Sequence, residues 1–466
     1  MTLSATLAAT NATDRVVVRN PFSGGEVGSV PATSREDIAK AVERASAAAD
    51  AFQFSTPYER RSLLNAIADR IATEAERLAQ TVSAEMGKTI TEARNEIRRA
   101  QNTLRLSGDA ATFLDGEVMH CGIVEGGVDR QAVVTLVPTG VVGAITPFNY
   151  PVNLLCHKLG PAIAAGNAIV IKPSPKAPLA AQLVSELCQE AGAPRDLIQM
   201  VHGGAQEAIA LSEAPIDLLS FTGGPNAGLA LKRSSGLVRC LMELGGNDPL
   251  FVMPDADLEA AARTAVTQRY EIAGQSCAAV KKLYVHNDIA SAFTEILMAE
   301  VASVKAGDPS DPATMMGPVI DNAAANEVEQ RIAAACQAGA TLIHGGRRGV
   351  TQFDPVVMAD VDPSSLLMRE ETFGPVLAMR RFANLTAAAD EVNAAGFGLQ
   401  AGVYTNDHRA IRDLTRRLKV GGVMINEGPD FRAEHVPFGG VRKSGLGREG
   451  VRIAAREMSE TKVVID

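Results

Sequence analysis

The sequence predicts an α/β protein built from two parallel-sheet units with an extended β arm. Three observations carry this. Between residues 138 and 243 short apolar runs alternate with helical stretches, as a doubly wound sheet requires. A second alternation of the same kind follows residue 245. Residues 128–137 are β-rich and isolated between helical and α/β regions, and the terminal run Thr461-Lys462-Val463-Val464-Ile465 is β-like with no partner strand in its own unit, which suits an arm.

Composition fits this class. A chain of 466 residues is too long for one core, so two or three domains are expected. Hydrophobic residues make up 46% and charged residues 21%, the balance of a soluble globular chain. A net charge of -9 argues against nucleic acid as a partner. The six cysteines, at 121, 156, 188, 240, 277 and 336, form no CxxC or Cys/His cluster. No metal is therefore expected, and they read as reduced thiols of a cytoplasmic protein. Residues 1–16 read as a free tail, without the order of a targeting signal. No apolar run reaches the ~18 residues of a membrane span.

In chain order, residues 16–31 hold short strands and turns. Thr33-Ser34-Arg35-Glu36 has capping-box spacing before Ile38, Val42 and Ala45 at helical period. One helix is expected over 57–86, with Leu64, Ile67, Ile71, Leu78 and Val82 on one face and Gly87 as its stop. Another covers 90–113. Strands are expected at 141–145, 168–171, 197–202, 218–221 and 239–242, with a helix at 179–191. The second unit places helices at 258–272, 289–304, 322–338, 385–394 and 409–419. Its strands are expected at 282–285, 376–382, 402–404 and 422–425. A nucleotide would bind at the carboxyl ends of the first set of strands.

No GxGxxG is present, and residues 166–172 lack the second glycine of a phosphate-binding loop. Ser220-Phe221-Thr222-Gly223-Gly224-Pro225 instead follows a strand and opens a helix, so its N–H groups suit a pyrophosphate or an ordinary turn. In Pro147-Phe148-Asn149-Tyr150-Pro151 the Asn149 amide suits an oxyanion donor or a cap. Lys172, in Lys172-Pro173-Ser174-Pro175, is a surface charge or a ribose or phosphate ligand. Cys277, in Gly274-Gln275-Ser276-Cys277, lies 34 residues after Glu243, in Glu243-Leu244-Gly245-Gly246. A thiol and a carboxylate on Gly-flanked turns suggest covalent chemistry on a carbonyl. Glu371-Thr372-Phe373-Gly374-Pro375 and Pro437-Phe438-Gly439-Gly440 are loops too rich in Gly and Pro for a core.

In order and spacing these motifs resemble those of the NAD(P)-dependent aldehyde dehydrogenase superfamily, from about residue 17 to the end. The resemblance implies a Rossmann-like NAD(P)-binding domain (1–116 and 138–244), a catalytic domain (245–440) and an oligomerisation arm (117–137 and 441–466). It makes Cys277 the nucleophile, Asn149 and the Cys277 N–H the oxyanion donors, and Glu243 the group that activates water on a thioester. NAD or NADP would be held by Thr146, Pro147, Phe148, Lys172, Ser174, Phe221, Thr222, Gly223, Gly224, Leu244, Gly245, Glu371 and Phe373. Pro175 stands where NAD-preferring members often place Glu, so NADP is admitted. Intact Glu243 favours hydrolysis over transfer to coenzyme A, and the intact set as a whole argues against an inactive structural relative.

Positions that match the family's aldehyde tunnel are Arg99, His157 and Arg432, all basic, with Ser276 beside the nucleophile. Such a set suits a phosphonate, phosphate, sulfonate or carboxylate tail. It is similar to the branch acting on phosphonoacetaldehyde or glyceraldehyde-3-phosphate, except that Ser276 stands where those members often carry Arg. A general or semialdehyde dehydrogenase is the alternative. A protease-like Cys–His role for His157 lacks the matching signatures. The resemblance implies a homodimer or homotetramer in which the arm's strands extend a neighbour's sheet.

Overall fold

The computed structural model describes residues 15–466. The expectations for residues 1–14 lie outside the described residues, while Arg15 and Val16 already belong to strand Arg15–Arg19, paired with Glu26–Pro31.

The first sheet has six strands in the order Gly445–Leu446, Arg239–Glu243, Leu218–Thr222, Val141–Ile145, Ala168–Lys172, Ile198–Met200, and only the first of these runs antiparallel. Every residue of Val141–Ile145, Ala168–Lys172 and Leu218–Thr222 is buried, because helices cover both faces. That is why these strands read as unbroken apolar runs rather than alternations. The covering helices include Arg35–Phe52, Pro57–Thr73, Ala75–Met86, Ile90–Ala110 and Asn153–Ala165, and their apolar stripes share one core with the sheet.

Two local expectations are corrected here. The helix expected over 57–86 breaks at Glu74 (φ -98°, ψ 17°) into two helices. Leu64, Ile67, Ile71, Leu78 and Val82 all still enter the core, since an apolar stripe records burial and not a common axis. Gly87 closes the second helix in the left-handed conformation, at φ 78°. The first cap is shifted by one residue: Ser34, not Thr33, accepts from the Asp37 N–H.

The second sheet has seven strands in the order Thr341–Arg347, Phe353–Ala359, Val376–Phe382, Lys282–His286, Pro249–Val252, Gln400–Tyr404, Gly422–Ile425. Neighbours are parallel except for the first pair. That pair is irregular, with register shifts around His344, which is why residues 341–359 lack a clear period. Pro249–Val252 is short and begins with proline, and helix Asn153–Ala165 contains Pro161. Both features read as breakers in a sequence.

A third sheet joins Ser459–Ile465, Gln131–Pro138 and Glu117–His120, all antiparallel. Only part of the expected 441–466 segment belongs to it. Gly445–Leu446 pairs with Glu243 and Met242, and Ala455 and Met458 pack into the first core.

This layout sets the site. Thr222, Glu243 and Lys172 end strands of the first sheet, and Thr146 follows another. Cys277 lies on the loop that enters strand Lys282–His286 of the second sheet.

Candidate active site

The loop to Cys277 is wound against its preference. Ile272 (φ 45°, ψ 37°), Ala273 (φ 54°, ψ 36°) and Gly274 (φ 71°) are consecutive left-handed residues. For Ile and Ala this costs about 1–3 kcal/mol each. At Gly274 a Cβ would also stand 2.5 Å from the Gly374 carbonyl oxygen, so glycine is required twice over. Buried Gln275 holds the coil: its Nε2 donates to the Ile272 carbonyl (2.9 Å), and its Oε1 accepts from the Ile320 N–H (2.8 Å). Glu92 caps helix Ile90–Ala110 through Thr89 and accepts the Ile272 N–H at 2.8 Å, tying that helix to the loop.

At the loop's end the Asn149 Nδ2 donates to the Gln275 carbonyl (2.9 Å). Burial pushes the Cys277 thiol up, Asp430 adds to this, and Lys281 opposes it. The Lys281 ammonium donates to the carbonyls of Ser276 (2.8 Å) and Cys277 (2.6 Å). Glu243 is buried, and its Oε2 has no partner among the described residues. Burial, and then the charge of Glu449, hold its carboxyl well above the usual carboxylate range. Gly439 (φ 146°) gives it room, since a Cβ there would lie 2.5 Å from Glu243 Oε1.

Cys277, Asn149 and Glu243 share a cleft of about 490 Å³ with Thr146, Pro147, Phe148, Lys172, Ser174, Thr222, Gly223, Gly224, Leu244, Gly245, Glu371 and Phe373. Phe221 does not line it; the ring lies beneath the turn, where a Cβ on Gly223 would meet it at 2.5 Å. A Cβ on Gly245 would stand 2.0 Å from Glu371 Oε2, and Glu371 Oε1 accepts the Gly246 N–H at 3.2 Å. Phe148 and Phe373 meet edge to face at 5.9 Å. Burial lowers the Lys172 ammonium to about 8. The amino ends of helices Pro225–Ser234 and Ala205–Glu213 open on the cleft through Gly224 and Gly204. Two helix ends, glycine cradles and a buried Thr146 hydroxyl without a partner among the described residues fit a dinucleotide. Gly204, Ala205, Ala208 and Glu327 escape sequence reading, since small residues and a helix-face carboxylate carry no motif.

Outside that cleft lining the structure brings Arg99, His157 and Arg432 together, but on carboxylates of the chain itself. Arg99 Nε donates to Glu434 Oε1 and His157 Nε2 bonds Glu434 Oε2, each at 2.7 Å. Arg432 Nη2 donates to Glu449 Oε2 at 2.9 Å, and its Nε lies 3.8 Å from Glu434 Oε2. Lys158 also donates to Glu449, at 3.1 Å. Burial lowers the pKa of His157, which favours the neutral ring. The expected cationic cluster is thus largely charge-balanced. Ser276 Oγ donates to Asp430 Oδ1 at 3.0 Å, and Asp430 Oδ2 is buried without a partner among the described residues. The Tyr150 hydroxyl donates to Glu271, whose carboxyl burial raises to about 7. Glu271, Asp430, Glu434 and Glu449 were not singled out by sequence. Their one signal is position, within about ten residues of the Cys277 and Pro437–Gly440 motifs.

Comparison with known proteins agrees. A model described as the aldehyde dehydrogenase family matches residues 8–464. The 3-sulfolactaldehyde dehydrogenase of Priestia aryabhattai is 36% identical over 455 residues, 97% of this chain and 95% of that one. Aspartate-semialdehyde dehydrogenase 1 of Pseudomonas canavaninivorans is 38% identical over 450 residues, 96% of each chain. Glyceraldehyde-3-phosphate dehydrogenase of Methanocaldococcus jannaschii, solved with NADP, superposes with a TM-score of 0.94 at 34% identity, covering 98% of this chain and 100% of that one. Solved structures that match include complexes with NADP and with NAD+.

Proposed function

The chain belongs to the aldehyde dehydrogenase family, as an NAD(P)-dependent enzyme, and from that premise we propose that it oxidises a small anionic aldehyde to the free acid through a thioester on Cys277. The observation that carries this is the meeting of Cys277, Asn149 and Glu243 in one cleft. Cys277 adds to the aldehyde carbon. The Asn149 amide and the Cys277 N–H hold the oxygen as it becomes an alkoxide. NAD(P), when bound, would supply the hydride acceptor for this oxidation. Lys172, Ser174, Glu371 and the Gly223–Gly224 turn would hold it in the cleft that Cys277 also lines. Glu243, poised by its raised pKa, then takes a proton from the water that cleaves the thioester.

Two features support an anionic substrate. Relatives include enzymes named for sulfolactaldehyde and aspartate semialdehyde. Arg99 bonds Glu434 through Nε, and no other hydrogen bond from its guanidinium appears among the described residues, so its outer nitrogens are left to a tail. A second reading rests on Asp430 and Glu271: an aldehyde that also carries a hydroxyl or ammonium group would satisfy Asp430 Oδ2. Pro175 in the cleft wall presents no carboxylate, which supports NADP as well as NAD. Exposed Val118, Met119, Val463, Val464 and Ile465 on the third sheet support a homodimer or homotetramer.

The test is NAD(P)H formation on length-matched aldehydes. Neutral chains are paired with phosphonate, phosphate, sulfonate and carboxylate ends, with and without a hydroxyl or amino group. An anionic member should exceed its neutral partner at least ~100-fold in kcat/KM. Superior neutral aldehydes would leave a general aldehyde dehydrogenase.

A further inference from the structure

Lys281 is a buried cation that the reaction above does not use. Its side chain is 1% exposed, and its ammonium has three neighbours: the Ser276 carbonyl at 2.8 Å, the Cys277 carbonyl at 2.6 Å, and Glu371 Oε1 at 3.5 Å. Its backbone is fixed too, since the Lys281 N–H donates to the Asp248 carbonyl at 3.0 Å. The ammonium is thus spent on two consecutive carbonyls of the nucleophile loop and on a wall of the cofactor cleft.

The Ser276 carbonyl and the Cys277 N–H belong to one planar trans peptide and point in opposite directions. A cation bonded to the oxygen fixes the tilt of that plane and draws electron density away from the N–H, making it a stronger donor. The Cys277 carbonyl, held by the same ammonium, locks the next peptide. The Gln275 carbonyl before them is taken by the Asn149 amide at 2.9 Å. Three successive carbonyls are therefore tied back, while the Cys277 N–H donates to nothing among the described residues. That N–H is left, beside the Asn149 amide, for an incoming oxygen.

We propose that Lys281 is the positioning residue of the oxyanion site: through the Ser276 carbonyl it aims and polarises the Cys277 N–H. This rests on Cys277 being the nucleophile. The role differs from activating the thiol, and two reagents separate them without any cofactor. With 4-nitrophenyl acetate the Cys277 sulfur bonds to the acyl carbon, an oxyanion forms, the ester C–O bond breaks, 4-nitrophenolate leaves and the thiol proton goes to buffer. With iodoacetamide the thiolate displaces iodide and no oxyanion forms.

Burst acylation and alkylation are to be measured across pH for the wild type, Lys281→Met, Lys281→Gln and Lys281→Arg, with the labelled cysteine mapped by mass spectrometry. At equal thiolate fraction, Lys281→Met should slow acylation by about 30-fold or more and alkylation by less than about 3-fold, a selective loss below the ~10²–10³-fold of removing an oxyanion donor outright. Lys281→Arg should recover part of the acylation rate. Lys281→Gln, neutral but able to donate, should fall between Met and wild type, and it serves if the Met variant does not fold. Equal slowing of both reactions, or slowing of neither, would overturn the proposal. A wild-type acylation burst that maps to a cysteine other than Cys277 would instead overturn the thiol reading on which it rests; alkylation of the exposed Cys336 would not.

Discussion

Glu434→Gln should destabilise the protein at neutral pH and do so less as the pH falls. Glu434 accepts from Arg99 and His157, and these contacts, with the charges behind them, outweigh its burial and lower its carboxyl from 4.5 to about 2. A depressed carboxylate contributes stability that is complete above its unfolded pKa and disappears as the pH falls through its folded pKa. The window is therefore from about 4.5 down to about 2. The shift corresponds to about 3 kcal/mol at pH 7, and the side chain is only 8% exposed, so little of this is screened. Urea unfolding of wild type and variant from pH 4 to pH 8 reads the difference directly. The gap should be about 3 kcal/mol at pH 6–8 and narrower at pH 4. The variant also removes the counter-charge of Arg99 and leaves Arg432 balanced by Glu449 alone, so kcat/KM for anionic aldehydes should rise relative to neutral ones. A gap that is absent at pH 7, or that widens towards pH 4, would refute the electrostatic reasoning. An unchanged anionic-to-neutral ratio would remove these arginines from the substrate path.

Three further outcomes are expected. Cys277→Ala should abolish oxidation while NAD(P) affinity, read by fluorescence titration, changes less than about 3-fold, because the cofactor cleft is built largely from the first sheet. Gln275→Ala removes the bonds that hold Ile272 and Ile320 and should lower stability by about 2–4 kcal/mol in chemical unfolding, with slower Cys277 labelling as the strained loop relaxes. Lys172, lowered to about 8, loses its charge as the pH rises through that value, so NADP binding should weaken from pH 7 to pH 9, whereas Lys172→Met should bind weakly with a flat pH profile.

The fold was legible where one face or both faces of an element are apolar. Val141–Ile145 and Ala168–Lys172 declare themselves by composition, and Cys277 and Glu243 by their Gly-flanked turns. The hairpin 341–359 did not, because bulges break its period, nor did helix Asn153–Ala165, because Pro161 reads as a stop. In the site, residues with conspicuous chemistry were found and their partners were not. Arg99, His157 and Arg432 suggested a cationic cluster, but Glu434 and Glu449, which balance it, look like solvated loop acids until the chain folds them together. Lys281 follows Cys277 by four residues, yet nothing in the sequence shows that its ammonium turns back onto the loop.

The most direct test is a single turnover of Glu243→Gln with saturating NAD(P) and an anionic aldehyde, quenched in acid and mapped by mass spectrometry. About one equivalent of NAD(P)H per site should form in a burst, and the peptide bearing Cys277 should carry the acyl group as a persistent thioester. A burst without an adduct on Cys277, an adduct on another cysteine, or steady release of acid at the wild-type rate would contradict the roles given to Cys277 and Glu243.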